Sequence, residues 1–240
     1  QTCALPIFTA AQGHPVVEFG ARRAHGPLAS LMAARAAAIG GCRGTSNVLA
    51  GQFFGIDVYG TQAHSWVMAH ENEADAFRQF LDAFPEHSVL LLDTYDVRNA
   101  VKKIISMGRK PAGVRLDSGD LTKNSRWVRR QLDGAGWKDV KIFASGDLDE
   151  ARITDLLAKG AAIDAFGVGT ALATPGDAPH LNLIYKLVVV ERDGKLRGAA
   201  KLSRAKVTYP GRKQVFRDSA ANGEWKRDRI ALDEIGRASC

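Results

Sequence analysis

The sequence predicts an α/β fold, a parallel sheet or (β/α) barrel, and three observations carry that expectation. Short apolar runs at Ser88–Leu92, from Gly113, at Lys141–Ala144 and at Ala162–Phe166 begin roughly 20 to 30 residues apart. Each gap has room for a helix, which is the βα cadence of a parallel sheet. Each run also ends in polar or glycine-rich residues: Asp93-Thr94-Tyr95-Asp96, Arg115-Leu116-Asp117-Ser118-Gly119-Asp120, Ser145-Gly146-Asp147 and Gly167-Val168-Gly169-Thr170. In α/β folds ligands bind at that carboxyl edge of the sheet.

Taken in order, the chain opens with Gln1–Phe8, which reads as foreign, as does Glu234–Cys240; residues 1–10 and 234–240 are expected to be non-native ends and are set aside. A strand over Val16–Gly20 leads to Arg22-Arg23, a pair suited to a phosphate or carboxylate and equally to surface ion pairs. Leu28–Ile39 is an alanine-rich helix stopped by Gly40-Gly41. Ser46 or Asn47 caps a helix over Val48–Phe54. Ile56–Tyr59 reads as a short strand leading to Gly60-Thr61-Gln62-Ala63-His64-Ser65, which sets His64 among small and hydroxyl residues on the same rim.

Glu71–Phe84 is an amphipathic helix, and Val97–Met107 is another with Asp96 as its cap. At the strand opened by Gly113, Arg115 and Asp117 share a face because side chains alternate with period two. They either pair with each other or divide the work, Arg115 on an anion and Asp117 on sugar hydroxyls. A helix over Thr122–Leu132 follows. Glycines at 146, 167 and 169 let backbone N–H groups approach a phosphate, and Thr170 adds a hydroxyl. Residues 11–180 are expected to form the (β/α) portion. From residue 181 to 233 the pattern turns β-rich, with runs at Leu183–Val190, Arg197–Leu202 and Gln214–Arg217 and turns at Arg192-Asp193-Gly194 and Pro210-Gly211.

Composition narrows the classes. The apolar share of 45% is that of an ordinary globular chain, and no apolar run approaches the ~20 residues of a membrane span. Three cysteines without metal-type spacing point to no disulfide framework and to a cytoplasmic setting. The net charge of +7 comes from residues 186–240, with fourteen Lys/Arg against seven Asp/Glu; the two signs balance at nineteen each before that. A basic tail attracts nucleic acid or phosphorylated small molecules, or is a solvated surface.

Seven ordered motifs together resemble the nicotinate phosphoribosyltransferase family. They are Glu18-Phe19-Gly20-x-Arg22-Arg23, Ser46-Asn47-Val48-Leu49-Ala50-Gly51, Gly60-Thr61-x-Ala63-His64-Ser65, Leu92-Asp93-Thr94-Tyr95-Asp96, Gly113 through Leu121, Gly167-x-Gly169-Thr170 and Tyr185-Lys186-Leu187. The resemblance spans residues 16–217. It implies an irregular (β/α) barrel of the type II phosphoribosyltransferase kind with a smaller β-rich region. It also implies the condensation of nicotinate with 5-phosphoribosyl 1-pyrophosphate to nicotinate mononucleotide and pyrophosphate, coupled to ATP, with Mg²⁺ carried by the phosphates.

Carried over residue by residue, His64 is the histidine phosphorylated by ATP, and Arg115 and Asp117 stand with it as catalytic. Phe19 stacks on the pyridine ring, Thr61 and Arg115 contact nicotinate, Arg22 reaches a phosphate, and Ser65 is a further substrate-binding residue. Asp117, Ser145, Gly146, Asp147, Gly167, Gly169 and Thr170 hold the phosphoribose. No protein-only metal site is assigned. The absence of an acid in Gly44–Asn47 favours nicotinate over nicotinamide. The resemblance further implies a preceding N-terminal domain with a tyrosine over the ring, and a homodimer. Two alternatives are set beside it: quinolinate phosphoribosyltransferase without ATP, and a nucleic-acid-binding module built on residues 186–229. His64 in its Ala-His-Ser setting argues against the first. The tail has no recognised binding motif or aromatic platform for the second.

Overall fold

Nine helices and ten strands alternate along the residues that the computed structural model describes, 4–177, 185–202 and 208–233. Helix α1 (Ala4–Ala11) precedes β1 (Val16–Glu18). A 3₁₀ turn at Ala21–Arg23, α2 (Pro27–Ile39), β2 (Gly44–Thr45), α3 (Val48–Phe54), α4 (His64–Ala69) and α5 (Glu73–Ala83) follow. The βα cadence then runs through β3 (Val89–Leu91), α6 (Val97–Ser106), β4 (Gly113–Leu116), α7 (Leu121–Gly134), β5 (Lys141–Ala144), α8 (Glu150–Ala158), β6 (Ala165–Val168) and α9 (Thr170–Ala173). Strands β7 (Val189–Arg192), β8 (Lys195–Gly198), β9 (Lys213–Ser219) and β10 (Trp225–Leu232) close the described chain.

The six strands β1 to β6 form one parallel sheet in the order β2-β1-β6-β5-β4-β3. Segment 57–62 spans the gap between its two edges. Thr45 N–H donates to Asp57 O (3.0 Å) and Tyr59 N–H to Thr45 O (2.9 Å) along β2. Gln62 then serves β3: its N–H donates to Val89 O (2.9 Å), and its Oε1 accepts from Leu91 N–H (3.2 Å). Segment 57–62 thus pairs with backbone groups of both edge strands of a curled, half-barrel sheet.

Alternation sorts the strand side chains into two faces. Leu90, Val114, Leu116, Ile142, Ala144, Phe166 and Val168 face outward and join Phe77, Leu81, Ile104, Val128, Leu132 and Ile153 of the helices in the main core. Each such large side chain contributes about 1.5–3 kcal/mol by leaving water. Leu91, Arg115 and Phe143 are register partners on the other face, so Arg115 looks into the barrel.

The helices follow the signals in the sequence. Side chains of Asn47, Asn72, Asp96, Asp120 and Asp149 accept hydrogen bonds from the backbone three residues on and start α3, α5, α6, α7 and α8.

Several local expectations shift. Ile56–Tyr59 makes only one bridge, between Val58 and Thr45, because it serves as the connector across the gap. Strand β6 lies at Ala165–Val168 rather than Ala162–Phe166, which brings Gly167 inside it. Residues 64–69, to which the sequence pattern assigned no element, form α4. Residues 4–10, set aside with the N-terminal end, fold as part of α1, whose fully buried Ile7 joins the core. Residues 234–240 lie outside the described residues, as do Leu183 and Ile184 of the run Leu183–Val190, whose strand begins only at Val189.

Two antiparallel hairpins occupy the β-rich stretch. The β7–β8 hairpin turns through Asp193 and Gly194, both at positive φ (51° and 70°), the geometry of a type I′ turn. In β9–β10, Arg217 pairs with Asp228 (2.8 Å), and Arg227 and Arg229 pair with Asp218 (2.9 and 3.1 Å). Three arginines of the basic tail are therefore matched by local carboxylates. Among the described residues no helix is long and apolar enough to cross a membrane.

Candidate active site

A chamber of about 550 Å³ opens at the carboxyl ends of the strands, a size suited to small-molecule ligands. All thirteen residues singled out in the sequence line it: Phe19, Arg22, Thr61, His64, Ser65, Arg115, Asp117, Ser145, Gly146, Asp147, Gly167, Gly169 and Thr170. They come from the ends of β1, β4, β5 and β6, from the 3₁₀ turn after β1, from the connector 57–62 and from the start of α4, which is how a (β/α) fold gathers distant residues on one rim.

The floor is built by close approach. Phe19 lies over Gly167, where any β-carbon would overlap its ring. Gly169 sits against the backbone of Phe19, and a β-carbon there would meet the Phe19 carbonyl at 2.9 Å. Gly146, at φ +97°, leaves room only for the Asp117 carbonyl. Beneath them Glu18 is buried, accepting from Thr45 Oγ1 (2.5 Å) and from Gly20 N–H. Burial raises its pKa, opposed by those two hydrogen bonds.

Arg115 donates to Thr61 Oγ1 and lies 3.5 Å from Asp117 Oδ1 through Nη2. Its Nε is buried without a partner among the described residues. An orphaned guanidinium donor is costly unless an anion completes it. Asp117 accepts from Ser145 Oγ (2.7 Å) and stands 3.6 Å from His64 Nε2. Burial works against its ionisation, but His64, Arg115 and Ser145 outweigh it and hold its carboxyl well below the usual range. Arg115 and Asp117 lie within ion-pair reach, and each also faces other groups, Thr61 for Arg115 and Ser145 and His64 for Asp117.

His64 opens α4. Its Nδ1 is 3.0 Å from Thr94 Oγ1, and its Nε2 is 2.8 Å from Lys201 Nζ. Burial lowers the pKa of His64, and the Lys201 charge lowers it further, against the raising effect of Asp117 and Asp93. The imidazole is therefore neutral at neutral pH, with a nitrogen lone pair available. Next to it Asp93 accepts from Ser118 Oγ and from Asp117 N–H (3.3 Å), while its Oδ1 is buried without a partner among the described residues. Asp96 is spent on capping α6.

Lys201 and Thr208 also line the chamber, and neither was singled out in the sequence. Lys201 is 2% exposed although it follows 137 residues after His64, in a run whose pattern reads only as strand. Nothing local marks such a lysine as buried. Thr94 was quoted within a motif, but its contact with the histidine depends on the fold.

Comparisons with known proteins point to one family. The profile of the nicotinate phosphoribosyltransferase (NAPRTase) family matches residues 15–228. The chain is 48% identical over 217 residues to the nicotinate phosphoribosyltransferase pncB2 of Mycobacterium tuberculosis, an alignment covering 88% of this chain and 46% of that protein. It is 46% identical over 226 residues to the nicotinate phosphoribosyltransferase of Bacillus subtilis, covering 90% and 46%. The crystal structure of nicotinate phosphoribosyltransferase from Porphyromonas gingivalis shares the fold with a TM-score of 0.74 at 22% identity, over 87% of this chain and 59% of that one. The chain spans about half the length of the curated relatives it matches.

Proposed function

Since this chain belongs to the nicotinate phosphoribosyltransferase family, we propose that its chamber condenses nicotinate with 5-phosphoribosyl 1-pyrophosphate, giving nicotinate mononucleotide and pyrophosphate, with ATP hydrolysis coupled through His64. The observation that carries this reading is the convergence of three groups on one rim: a guanidinium with a spare buried donor, an ionised Asp117 and a neutral His64.

Each role follows from the chemistry of its group. The Arg115 fork suits the carboxylate of nicotinate, with Thr61 beside it and Phe19 offering a ring face for stacking. In the transfer, the pyridine nitrogen bonds to the ribose anomeric carbon while the bond from that carbon to the pyrophosphate oxygen breaks. Positive charge grows on the ribose in between. Asp117, held ionised, favours that charge and keeps the ribose in line. Ser145, Asp147, Thr170 and the backbone at Gly146, Gly167 and Gly169 suit the phosphate, with Arg22 and Ser65 at the rim. Asp93 and Asp117 stand at adjoining strand ends, and the unpartnered Asp93 Oδ1 fits them to hold a Mg²⁺ that arrives with the phosphates, which would offset phosphate charge. A second copy of the chain, as a homodimer, is part of the same proposal.

The test is product formation. Incubation with nicotinate, phosphoribosyl pyrophosphate, ATP and Mg²⁺ yields nicotinate mononucleotide, nicotinamide is a poorer base, and Asp117→Asn lowers turnover by roughly 10²–10³-fold. Preference for nicotinamide, or full activity in Asp117→Asn, contradicts the reading.

A further inference from the structure

Two groups compete for one nitrogen of His64. Lys201 Nζ lies 2.8 Å from Nε2, and Asp117 Oδ2 lies 3.6 Å from the same atom. On the far side of the ring, Nδ1 is 3.0 Å from Thr94 Oγ1. An ammonium has three donors and no lone pair, so the nitrogen it faces must accept. A carboxylate demands the reverse. With Lys201 in place, Nε2 carries the lone pair and the proton resides on Nδ1, donated to Thr94. Without it, the shortest path to a satisfied ring is Nε2–H toward Asp117, with the Thr94 hydroxyl donating to Nδ1.

The backbone fixes Lys201 where it acts. Its N–H donates to Thr208 Oγ1 (2.9 Å), and its carbonyl accepts from Thr208 N–H (3.1 Å). The next residue, Leu202, donates its N–H to Thr94 O (3.2 Å), so one residue pair holds both sides of the imidazole.

We propose that Lys201 is a positioning residue that selects the tautomer of His64 with its lone pair on Nε2, making Nε2 the nitrogen that takes the phosphoryl group from a nucleoside triphosphate. This rests on the ATP-coupled reading above. As the Nε2 lone pair forms the N–P bond, the bond from the γ-phosphorus to its bridging oxygen breaks, and that oxygen leaves with the electron pair on the nucleoside diphosphate. The ring keeps its Nδ1 proton and carries one positive charge beside the phosphoryl dianion. Lys201, released from the nitrogen, then faces the phosphoryl oxygens.

The test is a two-bond ¹H–¹⁵N correlation on the ¹⁵N-histidine-labelled chain at pH 8 without nucleotide, His64 being assigned by its loss in His64→Gln. The expected spectrum has Nδ1 protonated and Nε2 bare; a protonated Nε2 in the wild-type chain overturns the proposal, whatever the variants do. Lys201→Met moves the proton to Nε2, and Lys201→Arg, which keeps a donor, restores the wild-type pattern. An unchanged tautomer in a folded Lys201→Met overturns it as well. With γ-labelled ATP the phosphoryl group resides on Nε2, and its rate of transfer falls about 10–100-fold in Lys201→Met, the worth of one charged hydrogen bond. Label on Nδ1 overturns this assignment while sparing the ATP-coupled reading. The expected tautomers with no label on the chain overturn that reading and leave Lys201 as the group that sets the tautomer.

Discussion

At the residue scale, the chamber is held by groups whose charge states the fold has chosen. His64 binds a proton less readily folded than unfolded, because burial and Lys201 oppose the imidazolium. Unfolding therefore takes up a proton once the pH falls below the ordinary histidine value of ~6.5, and stability drops from there down to the lowered folded value. Denaturant midpoints at pH 8 and pH 5.5 will differ more for the wild-type chain than for His64→Gln; equal differences contradict the assignment. Gly146 is a second case. Its φ of +97° and its contact with the Asp117 carbonyl exclude a side chain, so Gly146→Ala costs roughly 1–3 kcal/mol and displaces Asp117. A wild-type melting temperature for that variant would show that the close approach is not needed. These residues were legible in the sequence because glycine, histidine and carboxylate clusters at strand ends carry chemistry in their identity. Lys201 was not, because its burial is decided by a contact between distant segments.

At the element scale, α4 brings His64 to the rim, and it is short, with no side-chain cap at its start. Its far end is tied instead by Arg197 of β8, whose Nη2 donates to Met68 O (3.0 Å) and His70 O (2.8 Å). Arg197→Ala should speed amide exchange in α4 without changing exchange in α7; equal exchange in α4 would show that the hairpin does not hold it. The absence of a cap is also why α4 escaped the sequence reading, whereas α3, α6 and α7 announce themselves by an Asn or Asp ahead of a periodic run. Strand β2 escaped because two residues carry no period. Strand β10 escaped because its exposed, charged residues hide the alternation that marks a half-buried strand.

At the scale of the whole molecule, the parallel strand order and segment 57–62 place every candidate residue around one mouth. The βα cadence foretold the sheet, since each strand had to bury one face under a helix. The link that segment 57–62 makes between the two sheet edges was not foretold, because it depends on Gln62 serving β3 through both backbone and side chain. The β-rich stretch reaches the same mouth through Lys201, so the two parts of the chain meet at His64. The account stands most directly on one measurement, acid-labile phosphorylation by γ-labelled ATP compared between the wild-type chain and His64→Ala. The account predicts label on the wild-type chain that acid removes and that His64→Ala lacks. Equal labelling of the two, or acid-stable label, would contradict it.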